Sequence, residues 1–170
     1  IEENGEGINL TGGSSPILTS CSISLNGGGV YCSEGASPSL AGCVLSRNSG
    51  RGLHCDSDTA PNLMDCTISE NLGGGVHSSG SWLSLTKCRI IGNAASYGGG
   101  VYCEYANPLS LKDCVISGNS GGGLHASNSS PSLTNCLVTG NTNGGLCGYQ
   151  SDMTISNCTI SGNWSAGLRL

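Results

Sequence analysis

At 170 residues with 36% hydrophobic content the chain has the length and apolar share of one domain with a core, and no apolar run approaches the ~18 residues that spanning a membrane needs. Six Lys and Arg against eleven Asp and Glu, a net charge of −5, leave no basic stripe to neutralise phosphates, so nucleic acid is excluded as an expected partner. Charged residues are too dilute, at 10%, to hold the chain unfolded.

The first residues, IEENGEGINL, have neither the basic start nor the apolar stretch of a signal peptide, so any targeting segment has been removed or lies outside this chain. From there a repeat takes over, approximately P-x-L-x-x-C-x-I-x-x-N-x-G-G-G-V-x-C. Its Cys column is Cys21, Cys43, Cys66, Cys88, Cys114, Cys136 and Cys158, with steps of 22, 23, 22, 26, 22 and 22 residues. The long step contains the extra residues AASY before Gly98.

In chain order each unit holds three short apolar pieces. The first centres on Leu18, Leu40, Leu63, Leu85, Leu111, Leu133 and Ile155. The second follows the Cys, at Ile23, Leu45, Ile68, Ile90, Ile116, Val138 and Ile160, and ends on Asn26, Asn48, Asn71, Asn93, Asn119, Asn141 and Asn163. The third leaves the glycines at Ile8, Val30, Leu53, Val76, Val101, Leu124, Leu146 and Leu168, often with a Cys two residues on. Pieces of this length separated by Gly, Asn, Ser and Pro are strands and turns, three of each per unit.

The stretch Leu63-x-x-Cys66-x-Ile68-x-x-Asn71 also fits a leucine-rich repeat. That architecture needs a helical or Leu-lined return, whereas here the return is GGGV and SSPS, which are poor helix formers. The pattern therefore predicts an all-β, single-domain parallel β-helix over 1–170, with about seven coils of 22–23 residues. Stacked at ~4.8 Å, the coils make a rod on the order of 35 Å long. Alternation points the Cys and the Ile two residues later inward, and each Asn amide donates to the Asn of the next coil. A phosphate cradle would need one glycine loop opening a helix, and these glycines recur at every corner with no helix after them. They are expected at positive φ or at close backbone contacts.

The recurrent GGGV or GGGL, with I-x-x-N written ISLN, ISEN and ISGN, resembles the right-handed parallel β-helix repeats of large secreted and surface proteins. It is similar in particular to the GGA[ILV] and F-x-x-N repeats of polymorphic outer-membrane autotransporter passengers, although no Phe stands at the F-x-x-N position. The resemblance runs from Ile1-Glu2-Glu3-Asn4 to Ala166-Gly167-Leu168. It implies right-handedness, while polysaccharide lyases and pectin-type hydrolases share the fold, so function stays open.

The eleven cysteines lack the C-x-x-C spacing of a zinc site. The main column, and a second of Cys32, Cys55 and Cys103, read as small core residues, with a Cys32–Cys55 bridge left open. Cys147 falls at an outward position, a candidate reactive thiol. Of the sequons at Asn9, Asn128, Asn157 and Asn163, the last belongs to the inward ladder, and Asn128 in a surface turn is the expected glycosylation site. The repeat runs to both ends without a cap, which predicts either a segment of a longer solenoid or a subunit that stacks on copies of itself.

One outward column holds every histidine, His54, His77 and His125, with Asn9, Tyr31, Tyr102, Cys147 and Arg169. Cross-strand stacking is the ordinary role of such a column; a ligand-binding ridge, or a metal shared by His54 and His77, is the functional alternative. Trp82, Tyr97, Tyr102 and Tyr105 flank the insertion and suggest a sugar platform, against the plainer reading of loop packing. Asp56 and Asp58, with Glu34 one coil before, are the only carboxylate group with a catalytic look, and turn hydrogen bonding is their plainer use. A polar column, Ser24, Ser46, Ser69, Ser117, Thr139 and Ser161, is broken only by Ile91.

The sequence thus reads as a structural or adhesive β-helix of a secreted or cell-surface protein, associating with copies of itself or flanking repeats through open ends. The alternative is a polysaccharide-binding or polysaccharide-cleaving β-helix. No metal, no cofactor and no enzymatic role are assigned.

Overall fold

A computed structural model describes residues 1–105 and 108–170. Its strands form three parallel sheets that run the length of a rod, with eight, seven and seven strands among the described residues. The first sheet comprises Glu6–Leu10, Gly28–Cys32, Leu53–Cys55, Val76–Ser79, Val101–Glu104, Leu124–Ser127, Leu146–Tyr149 and Leu168–Arg169. The second holds the Leu column, from Ile17–Thr19 to Thr154–Ser156, and the third the Ile column, from Ser22–Ser24 to Thr159–Ser161, with each ladder Asn two residues past its strand. This is the predicted parallel β-solenoid of three strands per coil. Among the described residues no helix is long and apolar enough to cross a membrane.

Register is unbroken. Ile23, Leu45, Ile68, Ile90, Ile116, Val138 and Ile160 pair in one line, and Leu18 to Ile155 in another. In the middle coils these side chains are fully buried, each worth roughly 1.5–3 kcal/mol of apolar transfer. The main Cys column packs among them, within hydrogen-bond reach of strand carbonyls: Cys66 Sγ lies 3.5 Å from Leu40 O and 3.3 Å from Met64 O, either of which can accept its one proton. All eleven cysteines are free, Cys32 and Cys55 included, although those two are in register.

The Asn ladder satisfies every side-chain hydrogen-bonding site it buries. Asn48 Oδ1 accepts from Asn26 N at 3.0 Å and Asn26 Nδ2 at 3.2 Å. Asn48 Nδ2 donates to Asn71 Oδ1 at 2.9 Å and to Ile23 O at 3.3 Å. Two donors and two acceptor sites are thus filled in a residue with no exposed surface. The same pattern repeats through Asn71, Asn93 and Asn119 to Asn141.

The glycines divide into two kinds. Before each inward Val or Leu stands Gly7, Gly29, Gly52, Gly75, Gly100, Gly123, Gly145 or Gly167. A Cβ on any of the first seven would lie 2.1–2.8 Å from a carbonyl of the next coil and 2.7–3.2 Å from a ladder Nδ2. Close approach, not torsion, requires Gly there. One residue earlier, Gly74, Gly122 and Gly144 have φ of 103°, 109° and 105°, whereas Gly28, Arg51 and Gly99 occupy the same position with ordinary φ.

Sharp turning is done elsewhere. The residue before each corner Cys is left-handed, from Ser20 at 52° and Lys87 at 54° to Asn157 at 52°, and so is the residue before each ladder Asn, including Leu25 at 59° and Arg47 at 56°. Non-glycine residues hold this conformation because the ladders lock their neighbours on both sides.

Two substitution pairs check this account. Asn71→Ala removes the acceptor of Asn48 N and Nδ2 and is expected to cost about 3 kcal/mol or more in urea unfolding; Asn163→Ala, in a half-buried coil, costs less. Gly75→Ala drives a methyl to 2.6 Å from Gly100 O and should be severely destabilising, whereas Gly92→Ala, at φ 65° with nothing within 4 Å, should lose only about 1 kcal/mol.

Candidate functional site

Strict register on the first sheet aligns the outward column as the sequence predicts: Asn9, Tyr31, His54, His77, Tyr102, His125, Cys147 and Arg169 occupy successive rungs. Ring centroids step by 5.0, 4.9, 5.0 and 5.6 Å from Tyr31 to His125, so five rings form one continuous line of contacts, in which Tyr102 and His125 are stacked at 16°, His54 and His77 meet edge-on at 67°, and the other two pairs are tilted. Cross-strand ring contact is therefore present, and it stabilises the sheet by about 0.5–1.5 kcal/mol per pair.

Two carboxylates brace this stack. Asp56 accepts from the Tyr31 hydroxyl and lies 3.2 Å from His54 Nε2. Glu104 accepts from the Tyr102 hydroxyl at 3.3 Å and lies 3.6 Å from His77 Nε2. Each follows a ladder residue by two, so alternation returns it to the same face. The result is two Tyr–His–carboxylate trios, each spanning two coils. Asp58 and Glu34 are exposed corner residues with left-handed φ of 64° and 52°, and no hydrogen bond or ion pair joins them to Asp56 among the described residues. The carboxylate group read from sequence is thus dispersed, and Asp56 is drawn to His54 and Tyr31 instead. Glu104 was missed, although its spacing from Tyr102 copies that of Asp56 from His54.

The electrostatics keep the stack neutral near pH 7. Burial first, then the charges of Arg51 and His54, push the His77 imidazole down to about 4, and the opposing charge of Asp56 does not reverse this. Burial and Arg51 also lower His54, and burial lowers His125. The hydrogen bond to Asp56 raises the Tyr31 phenol, and burial followed by the Glu104 charge raises Tyr102. Arg51 Nη1 lies 3.2 Å from His54 Nδ1 and 3.3 Å from Nε2; a donor equidistant from both ring nitrogens sits over the ring face, a cation–π placement.

Three grooves follow the side of this ladder that faces the glycine corner. The first, about 370 Å³, is lined by Tyr31, Arg51, His54 and Glu6 over Gly27, Gly28, Gly50 and Gly73. The second, about 210 Å³, is lined by Arg51, His77, Tyr97 and Tyr102, and the third, about 390 Å³, by Tyr97, His125, Cys147, Tyr149 and Arg169. Tyr97, brought in by the insertion, lines two grooves and packs 5.8 Å from His125.

The four aromatics around the insertion therefore separate. Tyr97 and Tyr102 join the ladder, while Trp82 and Tyr105, 48% and 63% exposed, line none of these grooves and make no ring contact among the described residues. Cys147 is a half-exposed thiol in the third groove. Asn128 is exposed at a corner with φ 48°, and the amide of Asn163 donates to Val138 O within the ladder. Among the described residues no group of three or more His, Cys, Asp or Glu is placed to hold a metal ion.

The family model described as the right handed beta helix region matches residues 1–108 and 78–170. The chain belongs to the right-handed β-helix family. No curated protein and no solved structure matches it. Family membership supplies the hand of the coil, which the periodicity left undetermined, and makes the chain a β-helix repeat protein; as the family includes enzymes and non-enzymes, the chemistry of the site must come from the ladder.

The lowered His77 basicity has a sign. Because the fold prefers neutral imidazole, the unfolded chain takes up the proton first; stability is intact above the ordinary value of 6.5 and falls as pH drops towards 4. The wild-type urea midpoint should thus fall between pH 7 and pH 4.5, and His77→Gln should reduce that fall.

Proposed function

We propose that this β-helix is an extracellular or cell-surface adhesive module that binds an extended glycan along the Tyr–His ladder. The observation that carries the reading is the run of rings on five successive rungs, Tyr31 to His125, beside three aligned grooves. Flat rings offer stacking surfaces to the C–H faces of sugars, and phenols, imidazoles and bare glycine backbone offer hydrogen bonds to hydroxyls. A polymer lying parallel to the rod meets the same chemistry every ~4.8 Å. A peptide strand added to a sheet edge is the less favoured occupant, because the strands under the ladder are paired on both sides from Gly28–Cys32 to Leu146–Tyr149.

Cleavage is the second reading, and the two trios favour it: Asp56 and Glu104 stand two rungs apart, each in reach of a His and a Tyr. The adhesive reading expects intact polymer after incubation, and new reducing or unsaturated ends would replace it with the catalytic one. Filament formation through the end coils is a separate proposal, for which electron microscopy of the purified chain is the measurement.

Binding to a panel of soluble polysaccharides, followed by affinity electrophoresis, tests the site. Tyr102→Ala is expected to weaken binding about ten-fold, equivalent to about 1.4 kcal/mol, while Trp82→Ala leaves it unchanged. The reverse pattern would move the platform to the flank of the insertion.

A further inference from the structure

The positive charge on this face is placed where an acidic protein has least structural use for it. The chain has six Lys and Arg against eleven Asp and Glu. Arg47, on another face, pairs with Glu70 at 2.8 Å. Arg51 pairs with no carboxylate among the described residues, where its side chain meets His54 alone, through Nη1. Its remaining N–H groups have no acceptor among the described residues.

Its position in the repeat sets it between glycines of the two adjacent coils. Arg51 takes the middle place of the glycine corner, and the equivalent residues of the adjacent coils are Gly28 and Gly74. The guanidinium lies between two glycine corners, of which that at Gly28 is covered by the Glu6 carboxylate, and it lines both the first and the second groove. The second groove combines Arg51 with His77, Tyr97 and Tyr102 and includes no acidic residue in its lining. The third has the same makeup, with Arg169 and no acidic residue. Glu6 enters only the first groove, and Asp56 and Glu104, on the far side of the ladder, line none of the three.

Resting on the glycan reading, we propose that the polymer carries anionic groups, carboxylate or sulfate, and that Arg51 in the second groove is the anchor that receives them. A guanidinium accepts either anion through two parallel N–H groups, and the neutral rings of His77 and Tyr102 stack on the sugar beside it. Arg169 repeats the arrangement farther along the rod. As the protein's own net charge is −5, general electrostatics oppose such a ligand, so binding of a polyanion reports on the grooves.

The test compares polygalacturonate with its fully methyl-esterified form, and dextran sulfate with dextran, by calorimetry at fixed low salt. The charged member of one pair is expected to bind at least ten-fold tighter than its neutral counterpart. That advantage should shrink to near parity in Arg51→Gln and persist in Arg47→Gln, which makes the same change in net charge away from the grooves. Arg51→Lys, keeping charge without the fork, should fall between, and equal urea midpoints for the Arg51 variants and wild type show that the fold is retained. A preference in the polygalacturonate pair assigns carboxylate and one in the dextran pair assigns sulfate. Equal affinity within both pairs, or loss of the preference in Arg47→Gln as great as in Arg51→Gln, overturns the inference while glycan binding stands. If none of the four polymers binds, the glycan reading falls and this inference with it.

Discussion

The structure depends on one juxtaposition: the amide of each ladder Asn lies against a glycine whose missing Cβ leaves room for it. The amide is useful there only because it reaches three partners at once, the Asn of the coil on either side and a strand carbonyl. The glycine is needed because any side chain would meet that amide and a backbone oxygen together. Each of these two columns explains the other. Together they set the distance between coils, and strict distance between coils keeps the register from drifting over eight rungs.

Register is what turns a repetitive chain into a site. His54 and His77 are 23 residues apart and Tyr102 lies 25 beyond His77, yet their ring centroids lie 4.9 and 5.0 Å apart because the coils beneath cannot slip. A stack of this kind removes imidazole from water and disfavours its charged form, so the same packing that builds the surface makes it uncharged near neutrality. The two arginines beside the grooves then stand out against a neutral, partly aromatic wall. The polar Ser and Thr column on the third sheet, in register from Ser24 to Ser161 with Ile91 as its one apolar member, lines none of these three grooves and carries no charged side chain.

Much of the fold was legible in the sequence because the repeat states each structural decision seven times. Cys66, Ile68 and Asn71 could be placed inward from spacing alone, and the outward column followed from counting residues. The corners were less legible. Glycine drew attention to the stretch before Val76, whereas much of the left-handed backbone belongs to residues such as Leu25, Lys87 and Arg47, which give no sign of it. Their torsion is imposed by ladders on both sides, and side-chain identity at an exposed corner does not record it.

The candidate site shows the same division. The sequence alone determined the solenoid, the inward ladders and the membership of the His and Tyr column, since all of these follow from a short period repeated in register. Only the tertiary structure decided which polar groups meet across coils. Asp56 turned from Asp58 and Glu34 to His54 and Tyr31, Glu104 joined Tyr102 and His77, and Tyr97 left the Trp82 side for His125. Those contacts depend on the lean of side chains two residues along a strand and on the path of a single insertion. Periodicity averages over exactly such local detail, so they become visible only when neighbouring coils are laid one on another.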